Sequence, residues 1–369
     1  MIARKSILAI TILLITMSLT TVCSKKDAET TTDKAAVEST SAVTMFEGER
    51  HIKNLRQLTF GGQNAEAYFS YDASKIIFQA EVDSFECDQI FTMNSDGSEK
   101  TLVSTGKGRT TCSFIAPDGK SIIYCSTHLG ADDCLPDADM SQGYVWALYD
   151  SYDIFSADPD GGNIVRLTDA PGYDAEAVYS PQGDRIVFTS DRTGDLEIFI
   201  MNPDGSGVEQ LTDAPGYDGG AFFSFDGQWI CYRASRPEGE SMADYQRLLK
   251  QHLIRPSKLD LYIMNLADRK PIRLTDNSAA NFGPYFHPDG KHIIFCSNLH
   301  DQETRRRFDL FLIDIETKEI RQVTHNQTFD GFPMFSHDGT KLVFASNRDN
   351  KVRGETNVFI ADWVWPEDE

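Results

Sequence analysis

The stretch "DAEAVYSPQGDRIVFTSDRTGDLEIFIMNPDGSGVEQLT", 174–212, decides the fold. It divides into four short apolar segments separated by polar turns. "AVYS" runs into a Gln-Gly turn, "RIVFTS" is largely β-branched or aromatic, "EIFIMN" ends at "PDGSG", and "EQLT" closes the unit. Segments of this length and composition, bounded by Asp and Gly, predict strands joined by hairpins. Glycine supplies the positive φ that such turns need. The continuous apolar second segment predicts a strand covered on both faces, and the short polar fourth predicts an exposed edge.

The unit recurs along the chain. "YFSYDASKIIFQA" begins at Tyr68, "SFIAPDGKSIIYCS" at Ser113, "VYSPQGDRIVFTS" at Val178, "FFSFDGQWICYRA" at Phe222, "YFHPDGKHIIFCS" at Tyr285 and "MFSHDGTKLVFAS" at Met334. The turn falls at Asp72, Asp118, Gln182, Asp226, Asp289 and Asp338, in steps of 46, 64, 44, 63 and 49 residues. Two long steps mark two insertions, at 127–149 and 236–258. Antiparallel four-stranded units repeating every 40-odd residues predict an all-β fold, a six-bladed β-propeller. The chain enters on a fourth-strand phrase, Arg56-Gln57-Leu58-Thr59, and leaves after a third-strand phrase, Asn357 to Asp362. The N-terminal strand is therefore expected to join the last blade and close the ring.

These phrases, "FSPDGKxIxF" and "IYxMNxDGS…RLT" in outline, resemble the TolB-like, Pro-Asp-Gly-repeat branch of the WD-type propellers over about residues 55–365. The resemblance implies the fold and a cell-envelope binding or scaffold role. TolB carries an additional N-terminal α/β domain; only the propeller half is similar here. Related propellers also include lyases that hold a metal through several histidines, which implies an alternative: metal-assisted lysis or hydrolysis of an acidic sugar, using His128, His300 and His252 or His325.

Ahead of the repeats, Arg4-Lys5 and an apolar run from Ile7 to about Leu19 form an expected export signal, 1–22. The run is shorter than the roughly 20 residues of a spanning helix. Cys23 and the polar stretch behind it resemble a bacterial lipoprotein, with lipid attached at Cys23 and a flexible tether over 23–50; plain secretion is the alternative. The expected location is the periplasm or the outer membrane, with membrane contact only through the N-terminal lipid or signal. The propeller is expected to span 51–365, followed by an acidic tail, 366–369.

The net charge of −21 lacks the basic footprint of a nucleic-acid binder. Of seven cysteines, Cys87, Cys112, Cys125 and Cys134 lie close together and allow three pairings, while Cys231 and Cys296 sit in apolar runs as expected buried thiols. A Gly-x-Ser-x-Gly elbow, a phosphate-binding glycine loop and a His-Glu-x-x-His helix are all missing from the sequence. No catalytic residue, metal or cofactor is therefore assigned, and a monomer is expected.

In an up-and-down blade the Pro-Asp-Gly and "NxDGS" turns share one end; both insertions fall at the other. That mouth should collect Glu66, Arg109, His128, Glu176, Arg192, Arg233, Arg236, Asn298, His300 and Arg348, a set suited to a charged ligand or a peptide carboxylate on a protein, peptide or glycan partner. The second insertion, with Met242, Tyr245, Leu248, Leu249 and Leu253 at helical spacing and Ser241-Asp244 as a capping box, predicts an amphipathic helix over the mouth. "LTDAPGYD" occurs twice, at 167–174 and 211–218. The copies then diverge, to "AEA" with Glu176 and to "GGA" with Gly219-Gly220, so any site is expected where they stop agreeing.

Overall fold

A computed structural model describes residues 43–367 apart from Asp83 and Gln302. The export signal and Cys23 lie outside the described residues. The repeats form six four-stranded antiparallel sheets. The first blade contains Gln63–Phe69, Lys75–Glu81, Gln89–Asn94 and Thr101–Leu102; the second Thr110–Ile115, Ile122–Ser126, Asp153–Ala157 and Val165–Arg166; the third Asp174–Tyr179, Ile186–Ser190, Glu197–Met201 and Glu209–Gln210. The fourth contains Asp218–Phe223, Trp229–Ala234, Asp260–Asn265 and Pro271–Arg273; the fifth Asn281–Phe286, His292–Ser297, Asp309–Asp314 and Ile320–Gln322. The sixth contains Asp330–Phe335, Lys341–Ser346 and Asn357–Trp363, with Ile52–Gln57 from the N-terminus paired antiparallel to the last of these. Each inner strand packs on the next, and the sixth on the first.

Local chemistry explains the repeated letters. In every blade the Leu-Thr phrase, or its Val-Ser variant, puts a hydroxyl under the third strand. Thr59, Ser104, Thr168, Thr212, Thr275 and Thr324 accept the N–H of Val358, Ile90, Ile154, Ile198, Leu261 and Leu310 at 2.8–3.0 Å. The fourth strand is too short to pair the whole third strand, so the side chain satisfies a buried donor that would otherwise be orphaned. At the opposite turn, the serine before the Asp-Gly phrase accepts the N–H five residues on: Ser70 from Lys75 at 2.9 Å, Ser224 from Trp229 at 3.0 Å. The second strands are buried over most of their length, Ile186–Ser190 throughout, as strands sandwiched between blades must be.

The inner strands share one irregularity. Each carries a bulge, and the bulged residue has positive φ: Glu66, Cys112, Glu176, Gly220, Gly283 and Phe332. This conformation favours glycine and costs an L-residue of the order of 1 kcal/mol. Four blades nevertheless carry a side chain there, at the channel wall.

Two expectations need correction, and one open question is decided. The tether does not run to residue 50. Residues 43–50 are seated on the sixth blade: Thr44 N–H donates to Asp349 Oδ2 at 2.8 Å, Phe46 lies against the Arg348 guanidinium, and Glu49 is buried. Composition alone could not show that Glu49 has a buried cation waiting for it. The capping box is also absent. The helix spans Glu240–Leu249 with Gly239 at its N-cap, and the Ser241 hydroxyl turns back to the Glu238 carbonyl at 2.8 Å. Finally, Cys87 pairs with Cys134, leaving Cys112 and Cys125 as free thiols beside Cys231 and Cys296.

Candidate functional site

The two insertions build one cover. Trp146–Ala147 of the first pairs antiparallel with Leu253–Ile254 of the second. Leu248 of the helix is buried against Val145 and Leu253, and Tyr245 joins Leu148, Leu196 and Tyr217. The helix therefore packs at the insertion-bearing end of the blades. The Cys87–Cys134 bond ties the first insertion to the loop between the second and third strands of the first blade.

Under this cover lies a cavity of about 480 Å³. Its aromatic wall is Tyr144, Trp146, Phe282, Phe308, Phe329 and Phe332, and Arg255, Arg305 and Arg306 stand around it with Asn298. Tyr144 is 64% exposed at the lip and accepts the Trp146 indole N–H at 3.0 Å.

Deeper in the channel, Glu66, Glu176, Arg233 and Cys112 meet around a water-sized space. Arg233 forms an ion pair with Glu176 and lies 5.6 Å from the Trp146 ring centre and 5.9 Å from that of Phe282, so the cavity's aromatic wall also covers the ion pair. Glu176 further accepts Thr189 Oγ1 at 2.7 Å and the Gly220 N–H at 2.8 Å. The glycines of the second "LTDAPGYD" copy make this possible. A Cβ on Gly220 would overlap the Arg233 guanidinium, and one on Gly219 would fall 2.8 Å from Glu176 Oε2. Glu66 accepts the Tyr68 hydroxyl. Burial pushes the Glu66 carboxyl up to about 7, against the opposing pull of the Tyr68 hydrogen bond and the Arg233 charge. Burial first, and then the facing carboxylates, hold Cys112 as a neutral thiol well above its usual range. Beyond Glu66 the channel is plugged by edge-on and tilted rings: Tyr68 meets Phe114 and Phe222, and Phe222 meets Tyr285.

Of the ten expected residues, Glu66, Glu176 and Arg233 come together in the channel, and Asn298 lines the cavity. The other six are held elsewhere. Arg192, Arg236 and Arg348 each clamp the aspartate that opens their own blade's inner strand: Asp174 at 2.8 Å, Asp218 at 2.7 Å and Asp330 at 2.7 Å. Arg109 donates to the Leu135 carbonyl at 2.8 Å and pairs with Asp137, anchoring the first insertion. His128 rests on Ser126 and the Phe155 ring in the second blade. His300 sits by Asp309 and Phe311 in the fifth. The two histidines are thus fixed on separate blades by separate partners. Among the described residues, the one group with metal-ligand spacing is Asp150, Asp191 and His252, which includes neither of them.

Arg305 and Arg306 were not among the expected residues. The signal available in the sequence was "RRR" at 305–307, a basic run in an acidic chain. The phenylalanines had no such signal, since every inner strand contains an aromatic residue.

No protein-family model and no curated protein sequence matches the chain. Solved structures do. A protein assigned as TolB from Agrobacterium tumefaciens is 16% identical with a TM-score of 0.53, covering 82% of this chain and 91% of that one. TolB from Acinetobacter baumannii is 17% identical with a TM-score of 0.52; the match covers 82% of this chain and 64% of that longer one. An oligogalacturonate lyase from Vibrio parahaemolyticus is 13% identical with a TM-score of 0.52, covering 85% of this chain and 94% of that one. The chain thus shares with the TolB proteins the fold of the six-bladed β-propeller.

Proposed function

We propose that this chain is a non-catalytic binding propeller of the bacterial cell envelope, exported by its N-terminal leader and taking a protein, peptide or glycan partner at the insertion-bearing face. The observation that carries this reading is the covered cavity of about 480 Å³, walled by aromatic rings and ringed by arginines, at the end where both insertions meet. Its size falls within the roughly 300–1,000 Å³ of ligand pockets. No helix among the described residues is long and apolar enough to cross a membrane. A photo-crosslinking residue placed at Tyr144, on this face, should capture the partner in envelope extracts, whereas one at Tyr71, on the opposite turn, should not. Equal capture at both positions would refute the choice of face.

The alternative, metal-assisted chemistry on an acidic sugar, would draw on Asp150, Asp191 and His252. Two of those groups already pair with each other, and the third holds a backbone N–H. His252 pairs with Asp150 at 2.6 Å, and Asp191 Oδ1 accepts the Tyr173 N–H at 2.7 Å. No reaction step is assigned to them. Stoichiometric metal in the purified protein, lost in His252→Ala, would favour this alternative over the binding reading.

A further inference from the structure

The chemistry of the mouth cavity names a ligand class, resting on the binding reading above. The chain carries 56 acidic residues against 35 basic ones, and most of its structurally placed arginines are matched to carboxylates. Around the cavity the matching fails. Arg255 pairs with Asp244 at 3.1 Å, but among the described residues Arg305 donates to the Ser278 carbonyl and to no carboxylate. The Arg306 side chain has no hydrogen bond or ion pair among the described residues, and both arginines are exposed. A guanidinium left without a carboxylate in so acidic a protein is available to a ligand's anion.

The loop presenting these arginines is firmly built. Asp301, itself buried, accepts the backbone N–H of Arg306 at 3.0 Å and of Arg307 at 3.1 Å. Asn298 donates to the Arg305 carbonyl at 3.0 Å while its own oxygen accepts the Ala280 N–H at 2.9 Å, tying the loop to the start of the fifth blade. Buried Asp301 and Asn298 thus spend their polar groups on holding, beside an aromatic wall, two arginines that have no carboxylate partner among the described residues.

We propose that this cavity binds the C-terminal end of a peptide whose last side chain is bulky and apolar, with Arg305 and Arg306 holding the terminal carboxylate and Trp146, Phe282, Phe308 and Phe329 enclosing the side chain. The overall charge of −21 opposes a polyanion but costs a single carboxylate little. A volume of about 480 Å³ admits a chain end of two or three residues and no folded segment. The exposed lip at Tyr144 leaves an exit for the rest of the peptide.

The test uses the whole mature chain, read by tryptophan fluorescence and calorimetry. The probes are acetyl-Gly-Ala-Phe with a free carboxylate, its C-terminal amide, acetyl-Gly-Ala-Ser and 3-phenylpropionate. The free-acid Phe peptide should bind, more weakly at higher salt, and the amide and the Ser peptide should each bind at least tenfold more weakly. The double variant Arg305→Ala/Arg306→Ala should lose at least tenfold in affinity at unchanged thermal stability, since both side chains are exposed. Equal binding of acid and amide, or unchanged binding by the double variant, would overturn the proposal. So would 3-phenylpropionate binding as tightly as the tripeptide, which would make the cavity a small-acid site. If no peptide binds while crosslinking at Tyr144 still captures a partner, the ligand class is wrong and the binding face stands. If both fail, the binding reading falls with it.

Discussion

Three arginines occupy equivalent positions in three blades, which makes the effect of burial measurable within one protein. Arg348 and both its carboxylate partners, Glu49 and Asp330, have fully buried side chains. Arg192 is 19% exposed opposite a buried Asp174, and Arg236 is 29% exposed opposite a buried Asp218. Removing one member of a buried ion pair leaves an uncompensated charge and costs about 3–5 kcal/mol. Arg348→Ala strands two carboxylates and uncovers the Phe46 and Phe344 rings, so about 5 kcal/mol is expected. Arg192→Ala should cost about 2–3 kcal/mol, because water can reach the vacated site. Arg236→Ala should cost about 1–2 kcal/mol. Burial pushes the Asp218 carboxyl up to about 7, so near neutral pH it can take a proton when its partner is lost. Urea denaturation of the three variants gives the order, and thermal scans should follow it at roughly 2–4 °C per kcal/mol. Arg348→Ala should also free residues 43–50 to proteases under native conditions. If Arg348→Ala costs no more than Arg236→Ala, burial does not set these energies and the reasoning fails.

Three further outcomes follow from the same structure. Thr212→Val keeps the shape but removes the acceptor of the Ile198 N–H; it should cost about 1–3 kcal/mol and speed hydrogen exchange at Ile198, and no change at that amide would refute the latch. Glu66 is raised in the folded state, so its contribution to stability is lost as pH rises from about 4.5 to about 7 and is flat above that, amounting to about 3 kcal/mol. Glu66→Gln should remove that slope, and a parallel pH profile for the variant would show that Glu66 is not its source. Reducing Cys87–Cys134, which spans 47 residues, should destabilise the cover by up to about 4 kcal/mol, seen as faster proteolysis within 127–149, while blade strands keep their exchange protection.

The blades were legible in the sequence because each is a local object. Turn chemistry at Asp72 or Asp338 and the apolar second strands act over a dozen residues, and six repetitions average out any single departure, even Gln182 in place of Asp. The letters of the "LT" phrase were legible as a pattern; their purpose, a hydroxyl beneath Ile198 or Leu310, appeared only with the strands in place. Strand direction also placed the ten mouth residues at one end. It could not say which of them face each other. Arg192, Arg236 and Arg348 are drawn to the aspartate of their own blade, a contact across one hairpin, while Arg233 reaches Glu176 on the neighbouring blade.

By itself, then, the sequence determined the repeat, the blade count and the end at which the insertions gather, since hydrogen-bonding turns and strand burial are short-range. The tertiary structure alone decided the pairing of Cys87 with Cys134, the docking of residues 43–50 on Arg348, and the room that Gly219 and Gly220 leave for the Glu176–Arg233 pair. Each of these joins groups far apart in the chain, and their meeting depends on how the blades pack around the channel.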